Sequence, residues 1–98
     1  MTVPELKGRQ RKYLRGLAHP LKPLVHVGEG GISAGLVEAV DGALRDHELV
    51  KVRLHEPEDK KAAARALAEA SGSALCGVVG HTVILYRPHP KDPKIELP

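Results

Sequence analysis

Apolar and polar positions alternate along this chain with two periods, and the changes of period mark the elements. Leu6, Tyr13, Leu14 and Leu17 fall within one narrow sector at 100° per residue, with Gln10 on the same side, and predict a first helix over about residues 4–17. Lys7, Arg11 and Arg15 follow one another at i, i+4 and i+8 beside that stripe, with Arg9 and Lys12 further round. The helix therefore packs one side and carries a cationic ridge on the other. His19-Pro20-Leu21-Lys22-Pro23 must end it, because two prolines within four residues cannot continue a helix.

Residues 24–27 read as a short strand that leads into Gly28-Glu29-Gly30-Gly31. Ser33 is placed to cap a second amphipathic helix, built on Leu36, Val37, Val40 and Leu44 and ending near His47. Over residues 49–54, Val50, Val52 and Leu54 share one face and Lys51 and Arg53 the other, which predicts a half-buried strand. Pro57 suits the first turn of a third helix, with Glu58 and Asp59 complementing its dipole. Its body, residues 60–70, is rich in alanine, and Ser71-Gly72 stops it. Two further strands, residues 74–79 and 82–86, are joined by Gly80-His81, short enough for a hairpin. The tail after Arg87, with prolines at 88, 90, 93 and 98, is expected to run extended along the surface or to fray. The order α-β-α-β-α-β-β predicts a compact α/β sandwich with a four-stranded mixed sheet.

Length and composition narrow the classes open to this pattern. Ninety-eight residues hold one domain, and 42% hydrophobic residues suffice for a packed core. No stretch approaches the roughly 18–20 apolar residues of a membrane span, and residues 1–20 carry no signal-like apolar segment. The single Cys76 excludes an intrachain disulfide framework and a multi-cysteine zinc site, so the cytoplasm is the expected compartment. Charge is distributed unevenly. Residues 1–28 hold Lys7, Arg9, Arg11, Lys12, Arg15 and Lys22 against the single acid Glu5, whereas the remainder holds nine basic and eleven acidic side chains. That split points to an N-terminal polyanion-binding patch, with a merely solvated helix face as the alternative. Tyr13 and Tyr86 are the only aromatics, too few for a sheet that stacks bases on exposed rings.

The loop Gly28-Glu29-Gly30-Gly31 carries the clearest candidate chemistry. Between a strand and a helix N-terminus, glycines allow φ > 0, at Gly30 for example, and let another backbone approach closely. The helix end directs N–H groups and a positive dipole at whatever docks there, and phosphate is the natural ligand. A Walker A loop would need Lys-Ser/Thr after its last glycine, where this chain has Ile32-Ser33, and a dinucleotide fingerprint would need a glycine where Ser33 stands. G-x-x-G, which clamps a nucleic-acid backbone in KH-like domains, remains, with a plain tight turn as the alternative.

The run from Leu14 to Gly31, LRGLAHPLKPLVHVGEGG, closely resembles the YhbY family of small bacterial proteins made of a single CRM domain (chloroplast RNA splicing and ribosome maturation). His47-Glu48-Leu49-Val50-Lys51-Val52 and Leu85-Tyr86-Arg87-Pro88 are similar to later motifs of that family, and the resemblance spans roughly residues 5–90. It implies a fold like the C-terminal domain of bacterial translation initiation factor three with an added N-terminal helix. It also implies RNA binding through the G-x-x-G loop and adjoining basic surface, and association with large-subunit ribosomal precursors. Carried over by position, the loop is Gly28, Glu29, Gly30 and Gly31, and the basic surface includes Lys7, Arg11, Lys12, Arg15 and Lys22. Glu29 departs from relatives that often have lysine or a small polar residue there, which weakens local attraction to phosphate.

Other chemistry is poorly supported. The six histidines, at 19, 26, 47, 55, 81 and 89, include no pair at i, i+3 or i+4, so no metal is expected. Cys76 lies in an apolar strand with no neighbouring base and reads as a small buried hydrophobe. Tyr86 is expected to face the core, Arg87 either to reach a phosphate or to end a strand in solvent, and Lys51 and Arg53 either to extend the basic surface or to face water. The expectation is a monomeric RNA-binding assembly factor with no catalytic residues and no cofactor; a protein-protein adaptor is the alternative.

Overall fold

The structure, a computed structural model, describes residues 5–98. Three helices and four strands follow in the expected order: α1 (Gly8–Ala18), β1 (Val25–His26), α2 (Ala34–His47), β2 (Leu49–Arg53), α3 (Lys60–Ser71), β3 (Ala74–Val79) and β4 (Thr82–Tyr86). The sheet runs β1-β2-β4-β3, with β1 parallel to β2 and the other two pairings antiparallel. It is therefore mixed, and β1 and β3 are its edges.

Each face of the sheet closes over its own core. Val25, Val50, Val52, Leu54, Val83 and Leu85 pack against Val40 and Leu44 of α2 and Ala64, Leu67 and Ala68 of α3. The opposite residues of the same strands, Leu49, Cys76, Ile84 and Tyr86, meet Leu14 and Ala18 of α1 together with Leu6, Ile95 and Leu97. Tyr86 thus faces the core as its position predicts.

The helix boundaries are local chemistry. The Lys7 N–H donates to Gln10 Oε1 at 2.9 Å, and α1 begins at Gly8, with residues 5–7 outside the helix; residue 4, where the sequence places the start, lies outside the described residues. Its stripe is also rotated from the expectation: Leu14 and Ala18 are fully buried, whereas Tyr13 and Leu17 are 41% and 39% exposed. Ser33 Oγ accepts from the Leu36 N–H at 3.2 Å and caps α2 as expected. Asp59 Oδ1 accepts from the Ala62 N–H at 3.1 Å, so Asp59 is the cap of α3 and Pro57 lies before the helix instead of in its first turn. Gly72, at φ 62°, ends that helix in the left-handed conformation. β1 is shorter than residues 24–27, but the Leu24 and Val27 N–H groups still donate to Lys51 O and Arg53 O at 3.1 and 2.8 Å, extending the parallel contact on both sides.

The tail is extended and anchored. Glu48, 4% exposed and held at φ 64°, accepts from the His89 N–H at Oε2 (2.7 Å) and from the Lys94 and Ile95 N–H groups at Oε1 (2.8 and 3.0 Å). Gln10 Nε2 donates to Pro98 O at 3.2 Å, which ties the chain end to α1. These bonds hold Ile95 and Leu97 over the second core.

Candidate nucleic-acid interface

Gly28, Glu29, Gly30 and Gly31 form a closed turn, in which the Gly31 N–H donates to Gly28 O at 3.0 Å. The left-handed position is Gly31, at φ 71°, and not Gly30. Gly28, Glu29 and Gly30 are exposed, and a Cβ added at Gly28 or Gly30 would meet open space. Nothing fills the outer surface of the turn, so a ligand backbone can approach it.

The surroundings of the turn are electrostatically lopsided. On one side a cleft separates it from the β2–α3 loop, and Glu29, Glu56, Glu58 and Asp59 line that cleft with His55. A phosphate is repelled from there. On the other side lies the sheet face that carries α1. Val25, Val27, Val52 and Leu54 belong to the first core, so alternation turns His26, Lys51 and Arg53 to the opposite face. There, Lys12, Arg15 and Gly16 of α1 and His19 just beyond its end form one wall of a groove whose floor is Lys51, Val79, Thr82 and Ile84. No carboxylate lines it.

Several of these cations also hold the fold together. Lys51 Nζ donates to His19 O and Leu21 O at 3.2 and 3.1 Å, satisfying carbonyls just beyond the end of α1. Arg15 Nη1 donates to Cys76 O at 2.8 Å, and its side chain lies so close over Gly77 that a Cβ there would be 2.6 Å from Arg15 Cδ. The register of β3 on β4 shifts between Leu75 and Gly77, a β-bulge at Cys76. Arg15 thus joins α1 to the bulge and remains exposed at the groove. Arg11 Nη1 donates to Leu6 O at 2.6 Å.

The remaining candidates are dispersed. Lys7, the residue just before α1, is exposed. Lys22 is on the rim of a separate, mostly apolar groove with Leu17, Leu21, Leu24 and Leu49. Arg87 is neither at a phosphate site nor in solvent: it is buried, donates to Asp41 Oδ1 and Ser71 O at 2.8 Å and to Asp41 O at 3.1 Å, and links α2 to α3. Its guanidinium, with Arg45 assisting, holds the Asp41 carboxyl below the usual range. Cys76 is 2% exposed, and burial pushes its thiol up to about 12, as befits a small apolar residue. Among the described residues no three His, Cys, Asp or Glu side chains converge to hold a metal ion. No helix among them is long and apolar enough to cross a membrane. Lys61 and Arg65 of α3, spaced i and i+4, are exposed cations outside the basic N-terminal segment.

The three-helix α/β fold has a solved counterpart. The solution structure of SAV1595 from Staphylococcus aureus superposes with a TM-score of 0.84 at 38% identity, covering 96% of this chain and all of that one. The CRS1 / YhbY (CRM) domain model matches residues 6–87, and the chain belongs to that family. Among its relatives, the Bacillus subtilis protein named "Probable RNA-binding protein YqeI" is 38% identical over 95% of this chain and 99% of its own length. A Haemophilus influenzae protein named "RNA-binding protein" is 36% identical, with 95% of each chain covered.

Proposed function

We propose that this chain is an RNA-binding protein that grips the sugar-phosphate backbone of structured ribosomal RNA and serves the assembly of the large ribosomal subunit. Gly28, Glu29, Gly30 and Gly31 form the backbone clamp in this reading, and Lys7, Arg11, Lys12, Arg15 and Lys22 supply the surrounding positive field. The observation that carries it is the groove between α1 and the sheet, where Lys12, Arg15, His19 and Lys51 converge without a carboxylate. Family membership and the names of the relatives support the ligand class. Shape and backbone dominate recognition, because neither tyrosine offers a broad stacking platform: Tyr86 is 3% exposed and Tyr13 sits alone on α1. The protein acts as a cytoplasmic monomer and holds its RNA without cleaving it.

The test is a pair of substitutions in the turn, Glu29→Asp with Gly30→Asp, which keeps Gly31 at its left-handed position. The second carboxylate repels phosphate, while the exposed turn tolerates aspartate. RNA affinity should fall at least tenfold in roughly standard salt, with circular dichroism and thermal midpoint close to wild type; Gly30→Asn is the neutral control. Wild-type affinity in a folded Asp pair would reduce the loop to a turn. Sedimentation of cell extract should place the protein with large-subunit precursors, and a protein found only at the top of the gradient would count against the assembly role.

A further inference from the structure

The edge of the sheet opposite the glycine turn carries a second cationic groove. Arg11 of α1 forms one bank and Lys61 and Arg65 of α3 the other, with Leu75, Cys76, Gly77 and Val78 of β3 as the floor. All three cations are exposed, and among the described residues none has a carboxylate within ion-pair distance. Glu69, one turn beyond Arg65, lines the neighbouring depression and not this groove. Lys61 and Arg65, at i and i+4, project from one face of α3, and they lie outside the N-terminal segment that gives the chain its basic bias.

An edge strand invites two occupants, another β-strand or a polyanion. The bulge decides between them. At Cys76 the ladder is interrupted, and the Cys76 carbonyl is occupied by Arg15 Nη1. A regular added strand would lose its register there. A phosphate backbone requires no register and is attracted by three cations over a floor that no carboxylate lines, Glu69 standing in the adjoining depression that Arg11 and Arg65 also border. Arg11 also belongs to the cationic ridge of α1, so the two surfaces are continuous.

We infer that the β3 edge, with Arg11, Lys61 and Arg65, is a second RNA-backbone site, so that one domain contacts two backbone segments, one on each side of α1. The inference rests on the RNA-binding reading above and adds a surface to it. Two segments so held belong to a folded RNA, such as a helical junction, better than to a single isolated hairpin.

The experiment compares wild type, the Asp pair in the glycine turn, Lys61→Ala with Arg65→Ala, and Lys61→Glu with Arg65→Glu. Both α3 positions are exposed and alanine is the better helix former; circular dichroism and thermal midpoints confirm folding. Affinity for a ribosomal RNA junction is measured against salt, with hydroxyl-radical footprinting on the same RNA. The alanine pair should lower the log-affinity versus log-salt slope by about 1.4–1.8, the release expected of two phosphate contacts. It should also erase one of two protected segments, and the glutamate pair should weaken binding further. An unchanged slope and footprint in the alanine pair, with the Asp pair impaired, would overturn this second site and leave the first reading standing. Failure of wild type to bind the junction even at low salt would overturn both. Saturable binding of poly-glutamate that needs Lys61 and Arg65, with RNA slope unaffected by their loss, would assign the groove to an acidic protein and refute the inference.

Discussion

On one face of the sheet, Val50, Val52, Leu54, Val83 and Leu85 meet two helices across an apolar layer. On the other, Leu14 and Ala18 of a single helix, with Leu6, Ile95 and Leu97 from the segments at either end of the chain, supply the apolar contact, and the closure is completed by Arg15 on Cys76 O, Lys51 on His19 O and Leu21 O, and Glu48 on three tail N–H groups. The first face is closed mainly by apolar area, with the Arg87 network joining its two helices, and the second mainly by charge-assisted hydrogen bonds around a narrower apolar strip. The difference bears on function, since a face left partly open and rimmed by cations can receive a polyanion. It also shows that a cation is not a ligand contact by virtue of its charge. Arg87 is wholly committed to Asp41 and Ser71, and Arg15 serves the fold while remaining at the groove.

Breaking the apolar face should have the largest effect. Leu67→Ala removes a fully buried side chain from between α3 and the sheet, and should cost about 2–5 kcal/mol in urea unfolding. The whole domain should lose stability together, with no selective release of the tail.

The polar side breaks differently. Glu48→Ala deletes the acceptor of three backbone N–H groups, a loss of about 2–3 kcal/mol. Hydrogen exchange should show residues 89–95 released before the sheet. Glu48→Gly relieves the left-handed backbone at φ 64° but lacks the carboxylate, so it should recover only part of the stability and none of the tail protection. Uniform protection of the tail in either variant would remove Glu48 as its anchor.

A smaller effect is expected at the bulge. Gly77→Ala places a methyl group against Arg15 Cδ and should cost about 1–2 kcal/mol through displacement of that side chain. Arg15→Ala should add little in the Gly77→Ala background, because both changes break the same contact. Additive losses would show that the two residues act separately.

The smallest effect is a pH dependence that belongs to the first face, where Arg87 joins α2 to α3. Asp41 has its folded pKa lowered, chiefly by the Arg87 hydrogen bond. Its stabilisation is therefore complete above the ordinary carboxylate range and lost as pH falls through the folded value. Asp41→Asn should flatten that acid limb in thermal midpoints taken from neutral to strongly acid solution, modestly, since the Asp41 side chain is 36% exposed. An acid limb identical to that of wild type would place the dependence in other carboxylates.

By itself the sequence determined the order of the elements, the alternation of β2, the Ser33 cap, the Gly72 stop, the Gly80-His81 hairpin and the glycine turn. Each is encoded within a few residues, by period, cap or turn chemistry. The cationic character of α1 was legible for the same reason. The tertiary structure decided which residues of α1 face the sheet: Tyr13 and Leu17 share the apolar sector of Leu14 in sequence, but the sheet accepts only the strip through Leu14 and Ala18. It also decided that Gly31 and not Gly30 takes the left-handed conformation, that Glu48 anchors the tail, and that Lys61 and Arg65 stand opposite Arg11 across β3. Such outcomes, like the Arg15–Cys76 and Asp41–Arg87 bonds, depend on partners far along the chain, at sequence separations of 61 and 46 for those two pairs. A side chain's charge is written locally, but whether it is spent on a carbonyl or offered to a ligand depends on which distant backbone the fold brings within reach.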